Sequence, residues 1–392
     1  MIPFPRPHQV RGDVAMQQHS LGQLIFPTGG GKTLNMIMDT VRQFQLETPQ
    51  TIVVVCPRIL LAEQLSSEFL EHITNAQVLH CHSGEIHHES TTNPNIIRRW
   101  VDTYNSSHKL IFTTYNSLQR LVDADIDVNT IYFDESHHSV KRNFFPATEH
   151  FSANANRCYF FTATRKTSLT PTRPGMNDSE VYGNIICRVS APELVDGGYI
   201  IAPKIVAKQF QVIDGKQITA ECDSSNLLET LDDINCKKIL VCVKSSKQLV
   251  NIVSQTDCIS ELQSRGYSYL YITSKTGAVI DGKKVNREVF FDTLNAWGRD
   301  SNKKFICFQR SILSEGINVS ELEAVVFLRN MDVIEMVQTI GRVLRKGGKD
   351  KVWGLCVVPV YSKVGISTER ALQSVVDAVF EKGEMVDSVV RR

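Results

Sequence analysis

Gln23-Leu24-Ile25-Phe26-Pro27-Thr28-Gly29-Gly30-Gly31-Lys32-Thr33-Leu34-Asn35-Met36-Ile37-Met38 is the stretch that decides the fold. A short apolar run, a glycine-rich turn and an amphipathic stretch follow one another without a break, which is the context a phosphate-binding loop needs. Three successive glycines can take backbone angles that turn several N–H groups inward on one anion. The helix expected from Lys32 adds its positive dipole end; Lys32 can reach the β and γ phosphates, and the Thr33 hydroxyl can hold Mg²⁺. Leu34, Ile37, Met38, Val41 and Phe44 recur as one buried helical face. The general pattern wants glycine where Phe26 stands, so a chance glycine turn is the competing reading of this segment alone.

Outward from this loop, short β-branched runs keep alternating with longer amphipathic stretches, the pattern of an α/β protein with mainly parallel sheets. A first series has strand-like runs at Leu24–Phe26, Thr51–Cys56, Val78–His80, Lys109–Thr113, Thr130–Phe133 and Cys158–Phe161. Turn-rich text between Thr167 and Gly198 closes it. A second series runs through Ile239–Val243, Tyr269–Ile272, Phe305–Phe308, Ala324–Leu328 and Val352–Val358, with Ser274–Lys284 expected as a surface loop. Leu372, Val375, Val376, Val379, Phe380 and Val386 predict a closing amphipathic helix. The organisation expected is a first domain over 1–198, a linker over 199–223, a second domain over 224–363 and a C-terminal helix over 364–392 packed on it.

Length and charge narrow the function classes. The 392 residues carry 43 Lys+Arg against 42 Asp+Glu, a formal charge of +1. That balance excludes a histone-like or supercharged binder, and any nucleic-acid site must be a local patch. No apolar run is long enough to cross a bilayer, and Met1-Ile2-Pro3-Phe4-Pro5-Arg6-Pro7 lacks the features of a secretory signal. The 10 cysteines form no Cys-x-x-Cys pair and sit mostly in apolar runs, so they read as buried thiols. Both features predict an intracellular, reducing compartment, cytoplasm or nucleus. His80, Cys81, His82, His87 and His88 offer metal-ligating atoms without the paired spacing of a zinc site, and read as a polar loop.

Ile131-Tyr132-Phe133-Asp134-Glu135-Ser136-His137 supplies a partner for the glycine loop. An apolar strand ending in an acidic pair puts the carboxylates at the carboxyl edge of the sheet, beside the phosphates. Asp134 can hold Mg²⁺ through water, and Glu135 is then placed to orient or deprotonate an attacking water. In isolation the pair would read as a solvated acidic turn or a helix cap. Gln338, Arg342 and Arg345 recur at i, i+4 and i+7 on one helix face, and two guanidinium forks can neutralise charge on a γ-phosphate. A solvated basic helix is the alternative for that segment.

Taken in order, these motifs resemble those of superfamily 2 helicases and translocases of the DExH type. Pro57-Arg58-Ile59-Leu60-Leu61-Ala62-Glu63-Gln64 is similar to motif Ia, and Thr113-Thr114-Tyr115-Asn116-Ser117-Leu118 to Ib. Phe161-Thr162-Ala163-Thr164-Arg165-Lys166 resembles motif III, Ser314-Glu315-Gly316-Ile317-Asn318 motif V, and Gln338-Thr339-Ile340-Gly341-Arg342-Val343-Leu344-Arg345 motif VI. The wording of motifs III and VI is most like the DNA-directed group of XPB-like, UvsW-like and restriction-enzyme motors.

The resemblance implies two tandem RecA-like domains, P-loop NTPase chemistry with ATP and Mg²⁺, and a nucleic-acid partner, DNA ahead of RNA. It makes Arg345 the main arginine finger, Arg342 its companion, and Gln338 a neighbour of the attacking water. Thr28, Gly29, Gly30, Gly31, Lys32 and Thr33 hold the nucleotide, with Gly316 and Asn318 from the second domain; many relatives carry Asp in place of Asn318. Arg6-Pro7-His8-Gln9 is similar to the family's Arg-Pro-Tyr-Gln, which makes Gln9 the adenine reader, an amide offering donor and acceptor together; a surface turn is the plain alternative. Arg58, Ser83, Gly84, Thr114, Tyr115 and Ser314 would touch the sugar-phosphate chain without reading bases. His137, Thr162 and Thr164 would couple the nucleotide to that track, or merely cap a strand end. The expected activity is a nucleic-acid-stimulated ATPase that moves along a strand and unwinds or remodels duplex or branched substrates. An RNA helicase or an ATP-gated remodelling subunit that does not unwind are the competing readings, and a protein partner supplying specificity fits any of them. No oligomer is implied.

Overall fold

Every residue of Thr51–Cys56 is buried, as an unbroken apolar run must be when it lies inside a parallel sheet covered on both faces. In the computed structural model this run is β2, following β1 (Leu21–Ile25) and preceding β3 (Ala76–Cys81), β4 (Glu89–Ser90), β5 (His108–Thr114), β6 (Thr130–Phe133), β7 (Arg157–Thr162), β8 (Arg165–Thr167) and β9 (Ile185–Arg188). The structure describes residues 3–83, 88–170, 172–209, 220–273, 276–309, 321–328, 339, 354–360, 373–374, 376–385 and 387–390. They fall into two units, Met1–Ser190 with Met385–Arg392, and Ala191–Glu384. Among them no helix is long and apolar enough to cross a membrane.

In the first unit the strand order is β4-β3-β5-β2-β6-β7-β1-β9, and every pairing is parallel. All strands therefore end at one edge, where β1, β2, β5, β6 and β7 release the segments singled out by sequence. Phe133 and Phe160 stack at 4.9 Å on one face of the sheet, beside Ile97, Ile111 and Phe151.

Two helices flank the glycine loop, α1 (Pro7–Gln18) and α2 (Lys32–Gln43). The buried face of α2 differs from the apolar stripe expected: Asn35, Met36, Ile37, Asp39 and Thr40 are buried, while Leu34, Met38 and Val41 are half-buried. The reason is a polar network. Asp39 accepts both prongs of the Arg157 guanidinium at 2.8 and 2.9 Å and the Tyr132 hydroxyl at 2.7 Å, and it also meets Arg42. Gly12 lets α1 approach, since a Cβ there would stand 2.8 Å from both Asn35 Nδ2 and Phe26 Cζ. Phe26, the departure from the general loop pattern, is thus a core residue under α1.

The second unit holds β10 (Pro203–Gln209), β11 (Lys238–Cys242), β12 (Ser268–Thr273), β13 (Gly277–Ile280), β14 (Lys283–Val285), β15 (Phe305–Gln309), β16 (Ala324–Phe327) and β17 (Gly354–Val360). Their order is β10-β17-β16-β11-β15-β12-β13-β14, parallel except where β13 pairs with β12 and β14. Ile239, Val241, Leu249, Ile306 and Phe308 are among its core. Both sheets are those of tandem RecA-like domains.

Three stretches differ from the sequence reading. The stretch 199–223 carries β10, paired with β17, and the start of the helix Ala220–Asp233. Ser274–Lys284 is not a plain loop: Asp281 and Gly282 take φ of 43° and 81°, the two-residue turn that joins β13 to β14, and Ala278 and Val279 are buried. At the C-terminus a π-helical turn, Asp377–Glu381, packs on the helix Ala191–Asp196. Beyond it β18 (Asp387–Val389) pairs in parallel with β8 in the first unit. Leu372, Val375 and Val386 lie outside the described residues.

Candidate nucleotide site and nucleic-acid edge

The glycine loop leaves β1 beside β7, where Phe26 N donates to Thr162 O at 3.0 Å. Gly29 and Gly31 take φ of 85° and 78°, a region that disfavours any side chain. A Cβ on Gly31 would also stand 2.2 Å from Gln9 Nε2. The start of α1 clasps the loop from outside: Arg6 Nη1 reaches Gly29 O (3.5 Å), His8 Nε2 reaches Gly30 O (2.8 Å), and Gln9 Nε2 donates to Gly31 O (3.3 Å). Carbonyls held on the outside leave the loop free to present N–H groups on the other. Gln9 Oε1 accepts from Arg6 N at 2.8 Å, the reciprocal contact that starts a helix. The expected adenine reader is therefore buried, 3% exposed, with one donor and one acceptor spent on the loop and the helix start. His8 is turned into the same contact, its ring edge-on to Phe26 at 6.0 Å.

At the end of β6, Asp134 N donates to Val55 O at 2.8 Å, which fixes the acid pair to the sheet edge. Glu135 has φ of 46°, strained for a residue with a side chain. Lys32 Nζ meets Glu135 Oε1 at 3.1 Å. Asp134 is buried and its Oδ1 has no hydrogen-bond partner among the described residues. Burial, then the Glu135 charge, raises the Asp134 pKa, against a lowering by Lys32. A buried, unpartnered carboxylate oxygen next to a phosphate loop has the chemistry of a magnesium ligand, and Thr33 in the first turn of α2 supplies a hydroxyl of the right kind.

His137 follows in a short 3-10 turn, Ser136–His138. Its Nδ1 lies 3.1 Å from Thr162 Oγ1 and 3.5 Å from Glu135 Oε2. Thr162 Oγ1 gives its one hydrogen to Thr164 O at 2.8 Å, so it accepts from His137, whose Nδ1 must carry the proton. Burial holds the ring neutral, pulling its pKa down to about 4. His137, Thr162 and Thr164 thus form one hydrogen-bonded line, with Glu135 beside His137.

Of the residues expected on the track, Arg58 precedes α3 (Ile59–Leu70) after β2, and Ser83 is exposed just beyond β3. Thr114 ends β5 but is buried, its hydroxyl donating to Ser117 Oγ at 3.3 Å. Tyr115 is corrected: its ring is 2% exposed, packed between Phe133 and Phe144, and its hydroxyl donates to Asp134 O at 2.9 Å. An aromatic ring among strand-end phenylalanines is drawn inward, leaving Asn116 exposed. His80 and His82 are also not in a polar loop. Both are buried at the end of β3, Nδ1 of the first 3.0 Å from Nε2 of the second, with His80 Nε2 on Ser66 Oγ at 3.0 Å. All ten cysteines are thiols outside any disulfide, and all but Cys236 are buried. Gly84, Ser314, Gly316, Asn318, Gln338, Arg342 and Arg345 lie outside the described residues.

A glycine loop between strand and helix, with its lysine on a carboxylate that follows β6, on the far side of β7 in the same parallel sheet, defines a P-loop ATPase domain. Residues 7–167 match the family described as type III restriction enzyme, res subunit, and residues 224–347 match the helicase conserved C-terminal domain. The two matched domains, in that order, are the domain types of superfamily 2 helicases and translocases, and the first is that of restriction-enzyme motors. Among solved structures it is similar to the ATP-dependent Type ISP restriction-modification enzyme LlaBIII bound to DNA, with 16% identity and a TM-score of 0.74 over 100% of this chain and 31% of that one. A nuclease-deletion mutant of the Type ISP enzyme LlaGI, in complex with a DNA substrate mimic, matches with 18% identity and a TM-score of 0.68 over 98% of this chain and 30% of the other. At these identities the likeness is one of fold, and the chain spans less than a third of the length of those enzymes. No curated protein matches by sequence.

Proposed function

We propose that the chain is an ATP-dependent DNA translocase whose ATPase is stimulated by nucleic acid. The observation that carries this is the meeting of Lys32 with Glu135 at 3.1 Å, on an edge where His137 joins the acid pair to Thr162. DNA is favoured because both solved likenesses carry it or its mimic.

In this reading Thr33 and Asp134 hold the magnesium ion, which when bound neutralises phosphate charge. Lys32 turns to the β and γ phosphates, and Thr28 with Gly29, Gly30 and Gly31 supplies the cradle. Glu135 then orients the attacking water, with His137 still its neighbour. The second hydrogen and second lone pair of the Gln9 amide are what adenine would meet. Arg342 and Arg345 would supply charge from the second domain, Gln338 would stand near the attacking water, and Gly316 and Asn318 would add further nucleotide contacts. Arg58, Ser83, Gly84 and Ser314 would take the sugar-phosphate chain, with the buried Thr114 supporting their edge.

Parallel ATPase assays with single-stranded, duplex and branched DNA and with RNA test the reading, together with strand displacement and translocation on the same preparation. Turnover indifferent to every nucleic acid would remove it. Stimulation by RNA alone would change the track, and translocation without displacement would make the protein a motor that does not unwind.

A further inference from the structure

We infer that Tyr115 is a positioning residue that ties the loop after β5 to the acid pair, so that what this loop touches sets how Glu135 is held; this rests on the motor reading above. The Tyr115 hydroxyl donates to Asp134 O at 2.9 Å, and that carbonyl belongs to the peptide bond entering Glu135. Glu135 has φ of 46°, so its backbone needs an external hold, and a fixed hydrogen bond on the preceding carbonyl supplies one. The hold is rigid: the ring is packed between Phe133 and Phe144, with centroids at 6.1 and 5.6 Å.

Through its backbone the same residue belongs to the loop at the proposed track edge. Tyr115 N donates to Cys56 O at 3.1 Å, and Cys56 Sγ reaches Arg58 O at 3.3 Å. Asn116, next in the chain, is exposed. The loop therefore has one residue facing outward and the one before it plugged into the acid pair. A sub-ångström displacement of the loop moves the Asp134–Glu135 peptide, and misplacement on that scale changes rates far more than affinities.

Tyr115→Phe keeps the ring and removes the hydroxyl. Tyr159→Phe is the matched control, a buried hydroxyl 2.6 Å from the carbonyls of Met16 and His19 ahead of β1. For Tyr115→Phe the DNA-stimulated kcat should fall about 10-fold, with KM for ATP and affinity for an oligonucleotide held within about 2-fold. Tyr159→Phe should lower the melting temperature to a similar degree and keep kcat. Amide hydrogen exchange over residues 130–138 should quicken in Tyr115→Phe alone. Equal kcat in Tyr115→Phe and wild type, or equal losses in both variants, overturns the inference. A wild type that hydrolyses no ATP with any nucleic acid sinks the motor reading instead; the exchange measurement then decides by itself, and unchanged exchange overturns the hold on Glu135 as well.

Discussion

Lys32 and Glu135 are separated by 103 residues of sequence and 3.1 Å of space. The ammonium group that would grip phosphate and the carboxylate that would orient water are in contact, each in reach of the other's work. Lys32→Ala should abolish ATP turnover and leave the fold intact, because a phosphate-facing lysine at the sheet edge is not part of the apolar core. Glu135→Gln should bind Mg-ATP and hydrolyse it about 10² to 10⁴ times more slowly. Turnover and nucleotide binding measured on both variants separate the two roles; a Glu135→Gln variant that lost affinity and kept its rate would reverse the assignment.

Arg345 tests whether both halves of the chain serve one reaction. Arg345→Ala should lower DNA-stimulated kcat by about 10³ to 10⁵ with little effect on ATP affinity, and Arg345→Lys should do less damage because it keeps charge and loses the planar fork. Normal hydrolysis by Arg345→Ala at saturating DNA would leave the second domain a binding module only.

Asp39 is fully buried on the inner face of the loop helix α2, with Arg157, Tyr132 and Arg42 on its oxygens. Asp39→Ala strands the Arg157 guanidinium and should cost about 3–5 kcal/mol in urea unfolding. Asp39→Leu combined with Arg157→Met should recover much of that loss, since removing both charges spares their desolvation. A double variant no more stable than Asp39→Ala would mean the network is not a simple ion pair.

Acid should destabilise the protein through its buried histidines. Burial, with His82 and His88 nearby, pulls the His80 pKa from 6.5 down to about 3. The folded state thus stays unprotonated where the unfolded chain takes up a proton. Stability is fully present above about pH 6.5 and lost as pH falls towards about 3, by about 1.4 kcal/mol per pH unit for this one group. His80→Gln should flatten the slope of unfolding free energy against pH by that amount between pH 6 and 4. An unchanged slope would show that His80 titrates alike in both states.

The parallel sheets and the glycine loop were legible because their signals are local. Ile52–Cys56 is apolar throughout, and Lys32-Thr33 opens a helix directly after its turn. The acid pair was legible from its strand. What escaped depends on distant partners: Asp39 looks like a solvated position of α2 until Arg157 arrives 118 residues later. Tyr115 carries a family motif position, yet nothing in Thr114-Tyr115-Asn116 says which side chain turns inward. His80 looked polar because its partners, Ser66 of α3 and Phe112 of β5, come from other elements, and His82 because it packs on His80. The β13–β14 hairpin could have been read from Asp281-Gly282, a turn pair between two short apolar or lysine-bearing runs.

Connectivity adds a consequence of its own. Residues 191–384 form one unit and the flanking segments together form the other, so the second unit is an insertion within the first. The polypeptide crosses between them twice. During synthesis the sheet of the first unit is complete long before its β18 strand leaves the ribosome, and β8 must wait for that strand with its edge unpaired. After a single proteolytic cut near Ser190, the liberated C-terminal fragment would still carry the strand that docks on the other piece, through Val390 N on Thr167 O at 2.9 Å and Asp387 near Arg165 at 4.0 Å. Nicked protein should therefore co-purify as a pair.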